Sequence, residues 1–332
     1  MIDMQNPEVA FALEVTQRAA LLIKLIQDKT VTSTLTKDDR SPVTAADFAS
    51  QALVAATLLQ TFPHDPLIAE EGAATLRKPE SIHILEQITS FVKEMLPEAT
   101  PGKICAWIEH GTTESASRFW TLDPIDGTKG FLRGDQYAVA LALVVNGKVQ
   151  VAALGCPKLN LQLPDTTIGS GNGCLVIAAR GQGSYAAPLY EPANLVPIHV
   201  SSVGEPGKMR ILRSFESGHT NVDKISALAE ALGVKAAPLS MDSQAKYAVL
   251  AAGGGEVMLR MLSAKQPNYR EKIWDQAAGS LILEEAGGKI SDLTGAALDF
   301  TTGRTLSKNR GILASNGILH CIALEALNKL EI

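Results

Sequence analysis

The chain has 332 residues, enough to bury a large core in one or two domains. Hydrophobic residues make up 46% and charged residues 20%, the profile of an ordinary soluble protein. A net charge of −5 argues against a partner such as DNA, RNA or an anionic membrane, but leaves room for an anionic ligand in a local pocket.

The first helix is predicted to start at Asn6-Pro7-Glu8: a capping side chain, proline at the first position, then an acid. Its N-terminal flank has no basic stretch followed by an apolar one, and no apolar run reaches the roughly 18 residues that span a bilayer. A cytoplasmic protein is expected. The apolar spacing carries this helix through Ile26. Residues 28–40 read as a polar loop. Thr44-x-x-Asp47 resembles a capping box and predicts a second helix from Thr44 to Gln60. Leu67-Ile68-Ala69 is a short buried strand that ends on Glu70-Glu71-Gly72. Residues 80–96 are predicted helical.

The central stretch runs from Arg118 to Tyr137. Phe119 to Leu122 read as the end of a buried strand. Asp123 and Asp126 follow, three residues apart, with φ fixed between them by Pro124 and a sharp turn allowed at Gly127. Two carboxylates held close repel, so one neutralises unless a cation sits between them. Oxygen-only ligands suit a hard ion such as Mg²⁺. By itself the motif reads first as a surface turn, since Asp-Gly is a common turn pair.

Tyr137–Val145 and Lys148–Leu154 form a predicted hairpin across Asn146-Gly147. Residues 161–173 read as loop, and Cys174–Ala179 as a strand. The pattern then alternates, which implies an α/β half. Strands are predicted at Met209–Arg213, Val234–Pro238 and Glu256–Arg260. Helices are predicted at Asn221–Leu232, Ser243–Ala251 and Trp274–Glu285. The organisation expected is residues 1–160 as an α+β metal-binding domain and residues 161–332 as an α/β substrate-binding domain. The scattered cysteines, Cys105, Cys156, Cys174 and Cys321, show no zinc or disulfide spacing and read as inert thiols.

Four acidic sites sit at element ends: Asp47, Glu70, Asp123 with Asp126, and Asp275. Asp47 and Asp275 would serve equally as helix caps, and Glu70 as a solvated group. The paired motifs decide between these readings. Asp123-Pro124-Ile125-Asp126-Gly127-Thr128, with Trp274-Asp275-Gln276-Ala277-Ala278-Gly279 and Glu284-Glu285-Ala286-Gly287-Gly288 behind it, resembles the inositol monophosphatase superfamily. Those are Mg²⁺-dependent, lithium-sensitive phosphomonoesterases. Thr128 to Tyr137, Ser240 to Tyr247 and Tyr269 to Asp275 are similar to the 3′(2′),5′-bisphosphate nucleotidase branch. Simple inositol monophosphatases usually carry a second Thr where this chain has Lys129.

The resemblance implies a layered α-β-α-β-α sandwich, an α/β class fold with an α+β N-terminal half. It implies two or three Mg²⁺ ions held by Glu70, Asp123, Asp126, Asp275 and the Ile125 carbonyl, with Glu71 as a further outer ligand. Asp47 and Thr128 would orient and deprotonate a water. Gly127 and Thr128 would open a helix facing the phosphate. Ser243, Lys246, Arg260, His219 and Asp275 would contact substrate. His219 is equally a loop histidine, and Lys246 a solvated helix residue. Lys129 and Arg133 read as steering or surface charges. The implied reaction removes the 3′-phosphate of adenosine 3′,5′-bisphosphate, and of its sulfated form, in sulfur metabolism. An inositol polyphosphate 1-phosphatase or inositol monophosphatase is the alternative. No nucleic-acid polymer or membrane partner is expected, and the chain is expected as monomer or homodimer.

Overall fold

The computed structural model describes residues 2–31, 41–114, 116–163, 166–169, 171–215, 221–262, 266 and 268–330. Helix α1 (Pro7–Val31) starts as its sequence predicts, with Asn6 Oδ1 accepting from the Glu8 and Val9 N–H groups at 2.9 and 3.1 Å. It continues past Ile26, so residues 28–31 are helical rather than loop. A Lys24–Asp28 pair at 3.1 Å and a Lys29–Glu94 pair at 2.7 Å support that added turn. Residues 32–40 of the expected loop lie outside the described residues. Helix α2 (Ser41–Thr61) begins before Thr44, which puts Asp47 in its second turn and removes the capping-box reading.

Strand β1 (Leu67–Ala69) leads to α3 (Ile82–Lys93) and to α4 (Pro101–Glu109). The sequence reading missed α4, although Thr100 caps it through Lys103 N and Pro101 opens it. Strand β2 (Arg118–Asp126), helix α5 (Thr128–Arg133), β3 (Ala138–Val145) and β4 (Lys148–Cys156) follow. The hairpin turns at Asn146 and Gly147, both with positive φ, as an Asn-Gly turn requires. Short strands β5 (Leu161–Gln162) and β6 (Thr167–Ile168) interrupt the expected loop. Then come β7 (Cys174–Ala179), β8 (Gly183–Pro188) and β9 (Val196–Ile198).

The later elements are β10 (Ile211–Arg213), α6 (Val222–Ala231), β11 (Leu239–Ser240), α7 (Ala245–Ala251) and β12 (Val257–Arg260). Helix α8 (Ala277–Glu285), β13 (Lys289–Ser291), β14 (Ile312–Ser315) and α9 (His320–Lys329) complete the chain. The strand expected at 234–238 is displaced to Leu239–Ser240, which pairs with Leu212 and Arg213. Pro238 has no N–H to give a sheet, so pairing starts beyond it.

Strands β1-β2-β3-β4-β7-β8-β9 form one sheet and β11-β10-β12-β14-β13 another. The expected boundary at 160/161 falls inside the run of strands that builds the first sheet. Along β2, β3 and β4, alternate side chains enter two separate cores. Trp120, Leu122, Leu141 and Ala153 face α1 and α2, whereas Phe119, Ala140, Ala142 and Leu154 face α7 and α8. Helix α8 is buried on all sides from Ala277 to Leu283 because a sheet lies on each side of it. The outer face of the second sheet packs Ile211, Leu259 and Leu313 on α6 and α9. The result is the α-β-α-β-α stack. Among the described residues no helix is long and apolar enough to cross a membrane.

Candidate active site

Strand β2 continues through both carboxylates of its motif instead of ending at Leu122. Asp123 pairs with Ala140 and Asp126 with Ala138, with a register shift between them. Pro124 has no donor for the ladder, so the strand bulges there. Ser50 Oγ of α2 donates to Pro124 O at 3.0 Å, and Ile125 N donates to Asp123 Oδ1 at 3.1 Å. Gly127 then adopts φ 89°, and a Cβ there would lie 2.9 Å from Ser243 Cβ. Only glycine fits this turn. Thr128 opens α5, and its Oγ1 donates to Ile125 O at 3.4 Å.

Glu70 arrives beside this turn because β1 runs parallel to β2, with Ala69 opposite Leu122. Two long-range groups fix its place. The Gln51 amide accepts from Glu71 N at 2.9 Å and donates to Glu71 O at 2.7 Å. Arg304 donates to Ala69 O, and to Gly111 O and Thr113 O at 3.3 and 3.4 Å. Asp275 precedes α8 rather than lying in it, and the N-cap position belongs to Gln276.

A cavity of about 410 Å³ collects these residues. Glu70, Asp123, Ile125, Asp126 and Asp275 line it together with Gly127 and Thr128. Ser243, Lys246, Arg260 and Lys129 line the same space. Asp47 does not reach the lining; it is buried behind, and among the described residues its Oδ1 has no hydrogen-bond partner. The candidate His219 lies outside the described residues. Arg133 is a brace across elements, paired with Asp135 at 2.9 Å and with Asp242, and stacked under Phe215.

Burial and mutual repulsion dominate the electrostatics. Burial pushes Glu70 up to about 7, with Glu71 and Asp126 adding to it. Burial likewise raises Asp275 to about 8, against the pull of Arg260. Asp47 and Asp123 are raised for the same first reason, then by neighbouring carboxylates. Burial lowers Lys246 to about 8.

Among the described residues no group of three or more His, Cys, Asp or Glu side chains stands in a metal-holding arrangement. Two of the acids accept from backbone N–H groups, Asp123 from Ile125 N and Asp126 from Gln244 N at 2.6 Å, which leaves each carboxylate further lone pairs. Asp275 lies 3.9 Å from Arg260. The donor set nevertheless fits a hard cation. It is all oxygen, it is buried, its charges repel, and beside it Asp47 Oδ1 has no partner among the described residues.

This cluster predicts how stability varies with pH. Glu70, Asp275, Asp123 and Asp47 have folded pKa values above the unfolded carboxylate range of about 4. Their contribution is fully present below that range and is lost as pH rises through about 7 to 8. The metal-free protein should therefore melt at a lower temperature at pH 8 than at pH 5.5. Mg²⁺ should restore more at pH 8, where more carboxylates are bare. A melting temperature in EDTA that is flat or rising across this window would contradict the cluster.

Sequence reasoning missed the residues that hold the site from behind. Arg260 Nε donates to Glu271 at 2.8 Å, and Gln276 Nε2 donates to the other Glu271 oxygen at 3.0 Å. Tyr247 OH donates to Gln276 Oε1 at 2.5 Å. Glu271 was readable as the acid within the Tyr269–Asp275 motif. Arg304, which also sits 4.7 Å over the Trp274 ring, has no local signal.

The Inositol monophosphatase family matches residues 4–331. A 3′(2′),5′-bisphosphate nucleotidase of Schizosaccharomyces pombe is 40% identical over 330 residues, covering 93% of this chain and 92% of that protein. One from Oryza sativa is 40% identical over 338 residues, covering 96% and 93%. The solved inositol monophosphatase of Anabaena (Nostoc) sp. superposes with a TM-score of 0.64 at 21% identity, covering 98% and 97%. That likeness bears on the fold.

Proposed function

This chain belongs to the inositol monophosphatase family and is a phosphatase, and we propose that it removes the 3′-phosphate of adenosine 3′,5′-bisphosphate to give AMP. The adenylyl sulfate form with a 3′-phosphate is a second substrate on this reading. One observation carries it: the acidic cluster shares its cavity with Lys246 and Arg260, which line it along with Lys129. A substrate with a second phosphate needs such a pair. The relatives named bisphosphate nucleotidases support the nucleotide. A cytoplasmic place in sulfur metabolism and sensitivity to Li⁺ go with this reading.

Glu70, Asp123, Asp126, Asp275 and the Ile125 carbonyl would hold two or three Mg²⁺ ions. Bound Mg²⁺ supplies charge neutralisation at the phosphate and a more acidic water. Thr128 Oγ1, in the lining, would orient a water there, and Asp47 behind it would accept the proton through the Thr128 hydroxyl. Gly127 allows the close backbone approach of Thr128. Ser243 and His219 complete the nucleotide contacts. Arg260 is aimed in advance by Glu271 at 2.8 Å. Lys246 donates to Ser243 O at 2.7 Å and Met241 O at 3.3 Å. An ammonium has three protons, so one remains for the 5′-phosphate.

A charge-assisted contact to phosphate is worth about 1.5–3 kcal/mol, or roughly 10- to 150-fold in kcat/KM. Lys246→Ala and Arg260→Ala should each lose about that factor on adenosine 3′,5′-bisphosphate and little on 3′-AMP. Phosphate release from both, and from inositol 1,4-bisphosphate and inositol 1-phosphate, with and without Mg²⁺, tests the reading. Equal losses on both nucleotides would assign these residues to the fold or the metal site. Wild-type preference for an inositol phosphate would replace the nucleotidase reading by its rival.

A further inference from the structure

We propose that Gln244 is a positioning residue that sets the separation of Asp126 and Asp275. The proposal rests on the metal-dependent reading of the site. Gln244 is buried at 2% exposure and makes three contacts with the two acid-bearing segments. Its backbone N–H donates to Asp126 Oδ2 at 2.6 Å. Its Nε2 donates to Trp274 O at 2.9 Å, the carbonyl next to Asp275. Its Oε1 accepts from Gly279 N at 3.0 Å, in the first turn of α8.

The first-turn N–H groups of a helix have no partner within it. Gln276, the N-cap of α8, gives no side-chain cap. Gln244 supplies one from a different element. Its two amide atoms are used in opposite senses, so neither Glu nor Met can replace both contacts. The preceding residue makes the geometry possible: Ser243 has φ 64°, a left-handed turn that presents the Gln244 N–H to Asp126.

The docking surface below is equally close. A Cβ on Gly279 would lie 2.1 Å from the Tyr247 ring, so α7 sits directly on the start of α8. Two carboxylates can share a cation only at a set spacing. Asp126 belongs to the first sheet, whereas Asp275 follows the second sheet's β12 in the chain. Gln244 ties one to the other, its backbone N–H holding Asp126 and its side-chain amide holding the Asp275 segment. Groups that orient metal ligands typically cost 10- to 100-fold in metal affinity or activity when removed.

Isothermal titration with Mg²⁺ alone, on the full-length wild type and on Gln244→Met and Gln244→Ala, tests this. Both variants should bind Mg²⁺ roughly 10-fold or more weakly than wild type. Their kcat should fall by about the same factor, with KM for the nucleotide within about threefold of wild type. Asn316→Ala is the control. It removes another buried amide, bonded to Val203 O at 2.8 Å, and should leave Mg²⁺ affinity intact while lowering the melting temperature. Mg²⁺ affinity of Gln244→Met within threefold of wild type overturns the assignment. So does failure of both Gln244 variants to fold, since Gln244 would then act on the fold alone. An absence of Mg²⁺ binding in wild type would instead sink the metal reading of the site, and the positioning assignment with it.

Discussion

Replacing Asp126 or Asp275 by Asn is expected to lower kcat by about 100-fold or more. Each variant removes a charged ligand but keeps the side-chain shape, so the cavity survives. Both carboxylates face others: Asp275 is raised to about 8 by burial first, with Asp126 and Glu70 adding to it. A neutral Asn relieves that repulsion. The melting temperature in EDTA should therefore hold or rise, and the gain on adding Mg²⁺ should shrink. Steady-state kinetics together with melting curves separate this outcome from simple misfolding, which lowers activity and stability together. Turnover within threefold of wild type would remove that residue from the metal site.

Asp47→Asn and Thr128→Ala should each lower kcat by roughly 10² to 10⁴, the span of general acid–base effects, with little change in KM. Asp47 is buried, and its Oδ1 has no partner among the described residues. A buried carboxylate oxygen left this way is costly unless it is used. Among the described residues Thr128 Oγ1 makes only a long contact with Ile125 O, 3.4 Å, so the hydroxyl is weakly held and able to turn to a water. On this reading both side chains act on the water rather than on the bound substrate, so KM should change little. Members of one relay act as a unit, so the double variant should be little worse than either single one. Multiplicative losses would show two independent roles and break the Asp47–Thr128 assignment.

The parts of the site that were legible in the chain share one property. The requirements at Asp123-Pro124-Ile125-Asp126-Gly127 are local: a missing N–H, a positive φ and two charges close in sequence. The same holds for the Asn6 cap and the Asn146-Gly147 turn. Where the reading slipped, a partner far along the chain had decided the matter. Strand β2 runs on to Asp126 because Ala138 is there to pair with it. Asp47 lies a turn deeper than a capping box allows because α2 begins earlier, at Ser41.

Sequence by itself determined the chemistry available: which carboxylates, which cations, and the turn that presents Asp123 and Asp126. Charge, backbone freedom and the loss of a donor belong to single residues and their neighbours, so they can be read in place. Tertiary structure alone decided how those groups are held. Arg304 reaches Ala69 O to set Glu70, Glu271 aims Arg260, and Gln244 joins the segments of Asp126 and Asp275. Each is a hydrogen bond whose two ends lie on different elements. Such a bond leaves no period, spacing or composition in the chain, because its geometry exists only after the sheets and helices have packed.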